Sequence, residues 1–469
     1  MRRVSVRATR SVTRLSRMAM AAGLLLVASA SLQAMTLAEA FEAAQAHDPQ
    51  YRSALHDLEA ARQGIPIARA SLLPVVSLNY SNLGYSGTRE FPNALAQEVT
   101  TRLDYAAPQT SLSMRVPLFN YEAWSRLDQA TAQTRGAEAN YRARGLDLVD
   151  RLTSAYLQAL EARALRMLTD AEVVAMLEQN KRAEQRLRRG EGTRTEEAQA
   201  RAALEVARAR AGDATERVVV ADARLQRLTG QMPRFVQDTP ASFRPQPSSP
   251  SQLRDWMTAG AAQNPVIEVR QAAVEAARFG IKRNQAGHLP RLDLVANVAR
   301  ARNESISNLD QSTNLRSIGV QLSVPIFSGF GVQASIRQSE AELLRAEEEL
   351  RNERENNELE IRRLLQASDS AAVRAEALRR AIEAGETAVT GTTRAQEAGL
   401  ATQSDVLDAR SRLYSTRRDL AQSLYDHLAA RMRVMVLAGE PMQRIIEQVG
   451  AELVERIPLS ANEPTATPR

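Results

Sequence analysis

The sequence predicts a mainly α protein with a membrane β part, built as two copies of a long coiled-coil hairpin that carries a β-hairpin. Three observations lead there. Signposts of the first half recur in the second, the hydrophobic period switches from helical to strand-like at matching places, and two proline-free stretches run for nearly seventy residues each. His47-Asp48-Pro49 returns as Gln263-Asn264-Pro265 and Leu73-Pro74 as Leu289-Pro290, both 216 positions on; Val116-Pro117-Leu118-Phe119 returns as Val324-Pro325-Ile326-Phe327, 208 on. Gly190 and Gly230 return as Gly399 and Gly439, 209 on. A repeat of roughly 210 residues is far too long for a solenoid unit and marks two copies of one module.

Residues 1–34 read as a secretory signal peptide. Arg2, Arg3, Arg7, Arg10, Arg14 and Arg17 form a basic run without an acid, and Met18 to Ala30 is too short an apolar stretch to span a bilayer. Cleavage after Ala30 or after Ala34 is compatible with the residues. The whole-chain charge of +6, from 61 basic and 55 acidic residues, disappears when those six arginines leave. The basic balance is thus a targeting feature, which removes the main support for a nucleic-acid partner. There is no Cys for a disulfide, a thiolate or a lipid anchor, and His47, His56, His288 and His427 lack metal-ligand spacing. Neither a nucleophile–base set nor a phosphate loop appears: Gly190-Glu191-Gly192 lies at a helix–helix turn. The chain reads as a non-enzyme without cofactor or metal.

The first repeat, 35–231, opens with a helical pattern from about Ala38 to Ala70, in which Asp48 and Pro49 suit an N-cap and a first helical position. After Pro74 the period becomes two. Val76, Leu78 and Tyr80 alternate with Ser77, Asn79 and Ser81 in a strand at about 75–86; Leu112, Met114 and Val116 alternate with Ser111, Ser113 and Arg115 at about 110–116. A polar loop is expected between them. The second repeat, 253–440, places strands at about 291–302 and 314–324, with Leu292, Leu294, Ala296 and Val298 on one face and Ile318, Val320 and Leu322 returning. One apolar and one polar face suits a tilted membrane strand, or a half-buried hairpin in a soluble domain. Tyr80, Tyr85, Phe91 and Tyr105 give the first hairpin an aromatic girdle that the second lacks.

Tyr121–Arg189 and Val332–Ala398 would each form a helix of roughly 100 Å at 1.5 Å per residue. Ile336, Leu343, Leu350, Asn357, Leu364, Ala371 and Leu378 recur every seven residues, a seam with one polar interruption. Leu148, Leu152, Ala155, Ala159 and Ala162 make a second seam by steps of four and three. Tight turns lead into shorter return helices, Thr193–Thr229 and Thr402–Ala438. A proline-rich linker, 232–252, joins the repeats, and a tail, 441–469, has a polar end expected to be disordered. Four strands cannot close a barrel, and open sheet edges are not tolerated in lipid, so membrane strands require several chains. Three chains would supply twelve.

The repeat, the two strand-to-helix corners and the turn from Glu397 through Gly399, Thr402 and Asp405 to Ala409 resemble the TolC family of outer-membrane channels over about 36–440. The resemblance implies a homotrimer with a 12-stranded β-barrel in outer-membrane lipid, continuous with an α-helical barrel through the periplasm. It also implies a periplasmic adaptor and an inner-membrane ABC or proton-driven transporter as partners, and export of proteins by type I secretion or of small molecules. A periplasmic coiled-coil adaptor or scaffold without a barrel is the other reading of the same hairpins. By the resemblance, Asp405 and Asp408 constrict the periplasmic entrance, and Thr195 and Glu196 link neighbouring helices there. Thr402 with Asp405 and Thr193 with Glu196 also spell capping boxes, which gives Asp405 a purely structural alternative role. Gln396 and Ala401 replace a Tyr and an Arg that latch the entrance in family members; Arg194 is the available substitute. Pro117, Phe119, Pro325 and Phe327 mark the strand-to-helix corners.

Overall fold

The computed structural model describes residues 35–92, 96–232, 235–240, 242–304, 310–453 and 455–458. Residues 1–34, expected to be a signal peptide, and the end of the tail, expected to be disordered, lie outside these residues, as do 93–95 and 305–309. Helices α1 (Leu37–His47), α2 (Pro49–Arg62) and α3 (Gly64–Ala70) precede strands β1 (Val75–Pro92) and β2 (Glu98–Phe119), then helices α4 (Tyr121–Arg188) and α5 (Arg194–Thr229). After β3 (Phe235–Asp238) the order returns: α6 (Pro250–Gln263), α7 (Pro265–Gln285), β4 (Arg291–Glu304), β5 (Asp310–Ser323), α8 (Gly331–Glu397) and α9 (Gln403–Leu437). Helix α10 (Met442–Ala451) and β6 (Glu455–Pro458) follow. No described helix is long and apolar enough to cross a membrane.

Two compact units result, each drawing on both halves of the sequence. One comprises 50–145 and 257–360; the other comprises 1–49, 146–256 and 361–469.

The first unit holds a four-stranded antiparallel sheet in the order β1-β2-β4-β5. Leu112 faces Val298 across the β2–β4 pair, and Leu294 faces Val320 across β4–β5. Cross-strand partners share a face, so the alternating apolar positions of all four strands form one band. Among the described residues, strands β1 and β5 each have a single neighbour. The β1–β2 hairpin is much longer than the pattern suggests, because pairing continues from Val75↔Arg115 to Pro92↔Glu98 through what looked like loop. Below the sheet, the Tyr141 hydroxyl of α4 donates to that of Tyr51 on α2 at 2.7 Å, with the rings stacked 5.3 Å apart. Gly136 lets α4 approach α7 closely: a Cβ there would stand 3.2 Å from that of Ala272. The polar interruption of the seam is paired, since Asn264 Nδ2 donates to Asn357 Oδ1 at 2.8 Å and both residues are buried. Asn264 is also the N-cap of α7, accepting from the Val266 amide, with Pro265 in the first turn.

Among the described residues, the second unit is helical apart from one small sheet. Leu148, Leu152, Ala155, Ala159 and Ala162 are buried, the last two against Val218 and Ala221 of α5. Small side chains on both sides permit that close approach. The helical pattern up to Ala70 is broken at Asp48-Pro49, where a new helix starts with Pro49 in the first helical position as expected, because proline cannot continue the hydrogen-bond ladder of α1. Asp48 is buried there and accepts from Arg151 Nη2 at 2.6 Å. Arg163 donates to Asp222, joining α4 to α5 by an ion pair shielded from water. Part of the linker is built into the fold. Its β3 pairs antiparallel with β6 (Phe235↔Pro458, Asp238↔Glu455), and Tyr425 of α9 donates to Asp238 at 2.8 Å.

Candidate functional site

The two helix turns of the helical unit are built alike. Gly190 and Gly399 both take φ +74°, a left-handed conformation that ends α4 and α8 without a Cβ penalty. In each, a backbone amide reaches back five residues to an orphan carbonyl: Glu191 to Arg186 at 2.9 Å and Leu400 to Ala395 at 2.8 Å. Three residues after each glycine a threonine starts the next helix. The Thr193 hydroxyl accepts from the Glu196 amide at 3.2 Å, while Glu196 Oε2 accepts from the Thr193 amide at 2.9 Å. Thr402 and Asp405 repeat the arrangement at 3.2 and 2.8 Å, and the Thr402 hydroxyl is itself within 2.8 Å of Asp405 Oδ2.

Asp405 is therefore engaged by its own cap. The Thr402 backbone N–H, then the Thr402 hydroxyl, hold its carboxyl below the ordinary carboxylate value. Asp408 lies one turn on, on the same exposed face, and forms no hydrogen bond or ion pair among the described residues. Arg194 and Thr195 are exposed at the first turn, again with no side-chain bond among the described residues, whereas Glu196 is spent on the cap. Leu400 projects from the second turn, 84% exposed.

Behind these turns lies a set of contacts that the sequence reading missed. Gln396, at the position of the replaced Tyr, donates to Gln403 Oε1, which also accepts from Gln179 Nε2 of α4 at 3.3 Å; all three are buried. Leu407 of α9 packs with Met176 of α4 and with Leu204 and Ala207 of α5. One helical turn away, Glu172, 2% exposed, accepts from Arg210 of α5 at 2.8 Å and from Arg418 of α9 at 2.7 Å. The Tyr414 hydroxyl donates to the Ala171 carbonyl at 3.2 Å. The return helix of the second hairpin is thus fixed to the first hairpin at four levels. Burial lowers the Arg410 guanidinium, with Arg182 adding to it, and its Nε has no partner among the described residues. A signal existed: continuing the α4 seam by threes and fours from Ala162 reaches Thr169, Glu172, Met176, Gln179 and Ala183, so a carboxylate and an amide stand on a core stripe.

At the strand-to-helix corners, a register shift between Pro117 and Phe119 ends the β2–β4 ladder, and Asn120 Oδ1 caps α4 by accepting from the Ala123 amide at 3.1 Å. Pro325 follows β5, and Phe327 meets Phe330 edge-on with centroids 5.4 Å apart. Both rings are exposed, so the second hairpin has its aromatic residues at its foot, after the strand, rather than within it. No group of metal-ligating side chains occurs among the described residues.

The model of the family described as "Outer membrane efflux protein" matches 40–231 and 258–440. The chain is 31% identical over 425 residues to the proteases secretion protein PrtF of Dickeya chrysanthemi, covering 90% of this chain and 92% of that one. It is 30% identical over 423 residues to the alkaline protease secretion protein AprF of Pseudomonas aeruginosa, covering 90% and 88%. Among solved structures, the outer membrane protein VceC of Vibrio cholerae superposes with a TM-score of 0.73 at 20% identity, over 86% of this chain and 96% of that chain.

Proposed function

The chain belongs to the outer membrane efflux protein family, that of TolC, and is an outer-membrane exit channel for type I secretion or efflux with a large helical part in the periplasm; from that premise we propose that its cargo is a secreted protein. The observation that carries the choice is the likeness to two protease secretion proteins along nine-tenths of the chain. The family match disfavours the barrel-free adaptor or scaffold.

Three copies, each contributing β1, β2, β4 and β5, would close a twelve-stranded barrel, with one copy's β1 pairing to the next copy's β5. Two open sheet edges and one continuous apolar face in each chain support this. On this reading the sequence is a two-fold repeat, residues 1–34 are removed on export, and the helical unit meets a periplasmic adaptor and an inner-membrane transporter. Asp405 and Asp408 of each copy then converge on the entrance axis. Asp408 is the stronger candidate for a ring of free carboxylates, because Asp405 is already engaged by Thr402. The Glu172 cluster, with Gln179, Gln396 and Gln403, stands in for the missing latch and holds α9 against α4.

The test is a deletion strain complemented with the full chain. Loss and restoration of a specific extracellular protein, read by mass spectrometry of the medium, is expected. An unchanged set of extracellular proteins with heightened drug sensitivity would show efflux instead. Unheated outer-membrane extracts should contain a detergent-stable species of three copies; a peripheral, salt-extractable monomer would overturn the shared barrel.

A further inference from the structure

The β1–β2 ribbon changes its apolar side half-way along without changing register. Near the helices, Val76, Leu78 and Tyr80 share one face with Leu112 and Met114, and Ser77 and Asn79 share the other with Ser111 and Ser113. Beyond Ser81↔Gln109 the pairing continues residue for residue, so no bulge has rotated the strand. Yet Leu83, Tyr85, Phe91, Val99, Leu103 and Tyr105 now occupy the face of Ser77, with Arg89 laid over the Phe91 ring as the one charge among them, while Asn82, Ser86, Glu90, Arg102 and Asp104 occupy the face of Val76. Tyr85 and Tyr105 are direct cross-strand partners, stacked 5.2 Å apart. Strand β2 loses its second neighbour beyond Gln109↔Ala301, so this outer part is a bare two-stranded ribbon, on whose apolar face Leu83, Tyr85, Phe91 and Val99 are exposed in the single chain and Leu103 and Tyr105 are half-buried.

Resting on the shared-barrel reading above, we propose that the inner faces of these ribbons pack against one another, copy to copy, as an apolar seal across the outer mouth of the channel. The face that bears Ser77 and Asn79 is opposite the lipid band and therefore turns to the barrel axis. Apolar side chains placed there are beyond the reach of lipid and unfavourable in water. Strand β1 is the edge at which copies join, so rotational closure sets identical ribbons around one axis with the same patch facing inward. A lone two-stranded ribbon is marginal in water, and mutual packing supplies the third layer it lacks.

The chain contains no cysteine, so single Cys variants report directly. In the full-length protein in outer membranes, Tyr85→Cys and Leu103→Cys should form disulfide dimers on mild oxidation, while Ser86→Cys and Thr88→Cys on the other face should not. All four should retain the detergent-stable oligomer. The double variant Tyr85→Ser, Tyr105→Ser should raise single-channel conductance in planar bilayers. Inner-face cysteines that stay uncross-linked in an intact oligomer overturn the seal: labelling by an impermeant maleimide would leave the face open to water, and protection from it would mean that lipid or cargo covers the face. Absence of the oligomer in the unmodified protein would instead sink the barrel reading, and this inference with it.

Discussion

Arg418 of α9 donates to the carboxylate of Glu172 on α4 at 2.7 Å, and that carboxylate is nearly sealed from solvent. A buried carboxylate between two arginines tolerates the loss of one only at a cost, since the second must then carry its whole charge. Both arginines keep some contact with water, so the penalty is smaller than for a fully buried pair. Arg418→Met should destabilise the helical unit by about 1–2 kcal/mol. If these turns form the entrance as proposed, it should also loosen α9 from α4 there, seen as higher conductance in bilayers. A closed, unchanged channel with a lowered Tm would reduce Glu172 to a packing element.

The free carboxylate at the second turn should act on ions rather than on stability. On the proposed convergence of Asp408 from each copy around one axis, Asp408→Asn should weaken cation preference and block by multivalent cations, because low-dielectric walls focus the field of such charges. Thermal unfolding should not move, as Asp408 forms no bond among the described residues. Thr402→Ala should do the opposite, costing about 1 kcal/mol of helix capping with little change in selectivity. Recordings in which both variants keep full selectivity would place the constriction elsewhere.

Leu294 and Val320 face each other across β4 and β5 on the apolar band. Arg at either should impair membrane insertion by about 2–4 kcal/mol near the midplane. Asn297→Arg, on the opposite face, should insert normally. Equal insertion of all three would mean that the band does not meet lipid.

Acidification should act through a second carboxyl pair. Burial raises the Glu161 carboxyl above its ordinary value, Asp426 raises it further, and Arg217 opposes both. Asp426 is itself raised by burial, against Arg374. An acid whose folded value exceeds its unfolded one stabilises the fold when protonated. Both contributions are thus present below the ordinary carboxylate range and are lost as the pH rises through the raised folded values. Glu161→Gln should therefore increase Tm at neutral pH and shrink the gain seen on mild acidification. Asp405 has the opposite sign: its lowered carboxyl supports the cap above the ordinary range and releases it only in stronger acid. A Glu161→Gln protein with unaltered pH dependence would assign the acid response to other groups.

The long helices and the feet of the strands were legible in the sequence because each depends on a regular period and a proline or glycine stop. Helix α4 ends at Arg188 and α8 at Glu397, each two positions before a left-handed glycine. The outer ribbon was not legible, since its apolar positions fall out of phase at Ser81 and read as loop when a single lipid face is assumed. Glu172 and Gln179 escaped because a charge on a core stripe looks like a break in the pattern until its partners are known. Two of those partners, Arg418 and Gln403, lie more than two hundred residues away. The pairing of β3 with β6 left no trace either: four residues are too few to show alternation.

That small sheet sets an order of events. Strand β3 lies at 235–238 and its partner at 455–458, with the whole second set of helices and strands between them. A chain that emerges from the ribosome and crosses the inner membrane N-terminus first presents β3 long before β6 exists on the same side. The first half must wait unlatched while the rest arrives, and closure of this sheet can come only near the end of translocation. Contacts of such large sequence separation form late and slowly. In time as well as in space, β6 is the clasp fastened last, and a chain stalled in export before residue 455 would be left with β3 unpaired.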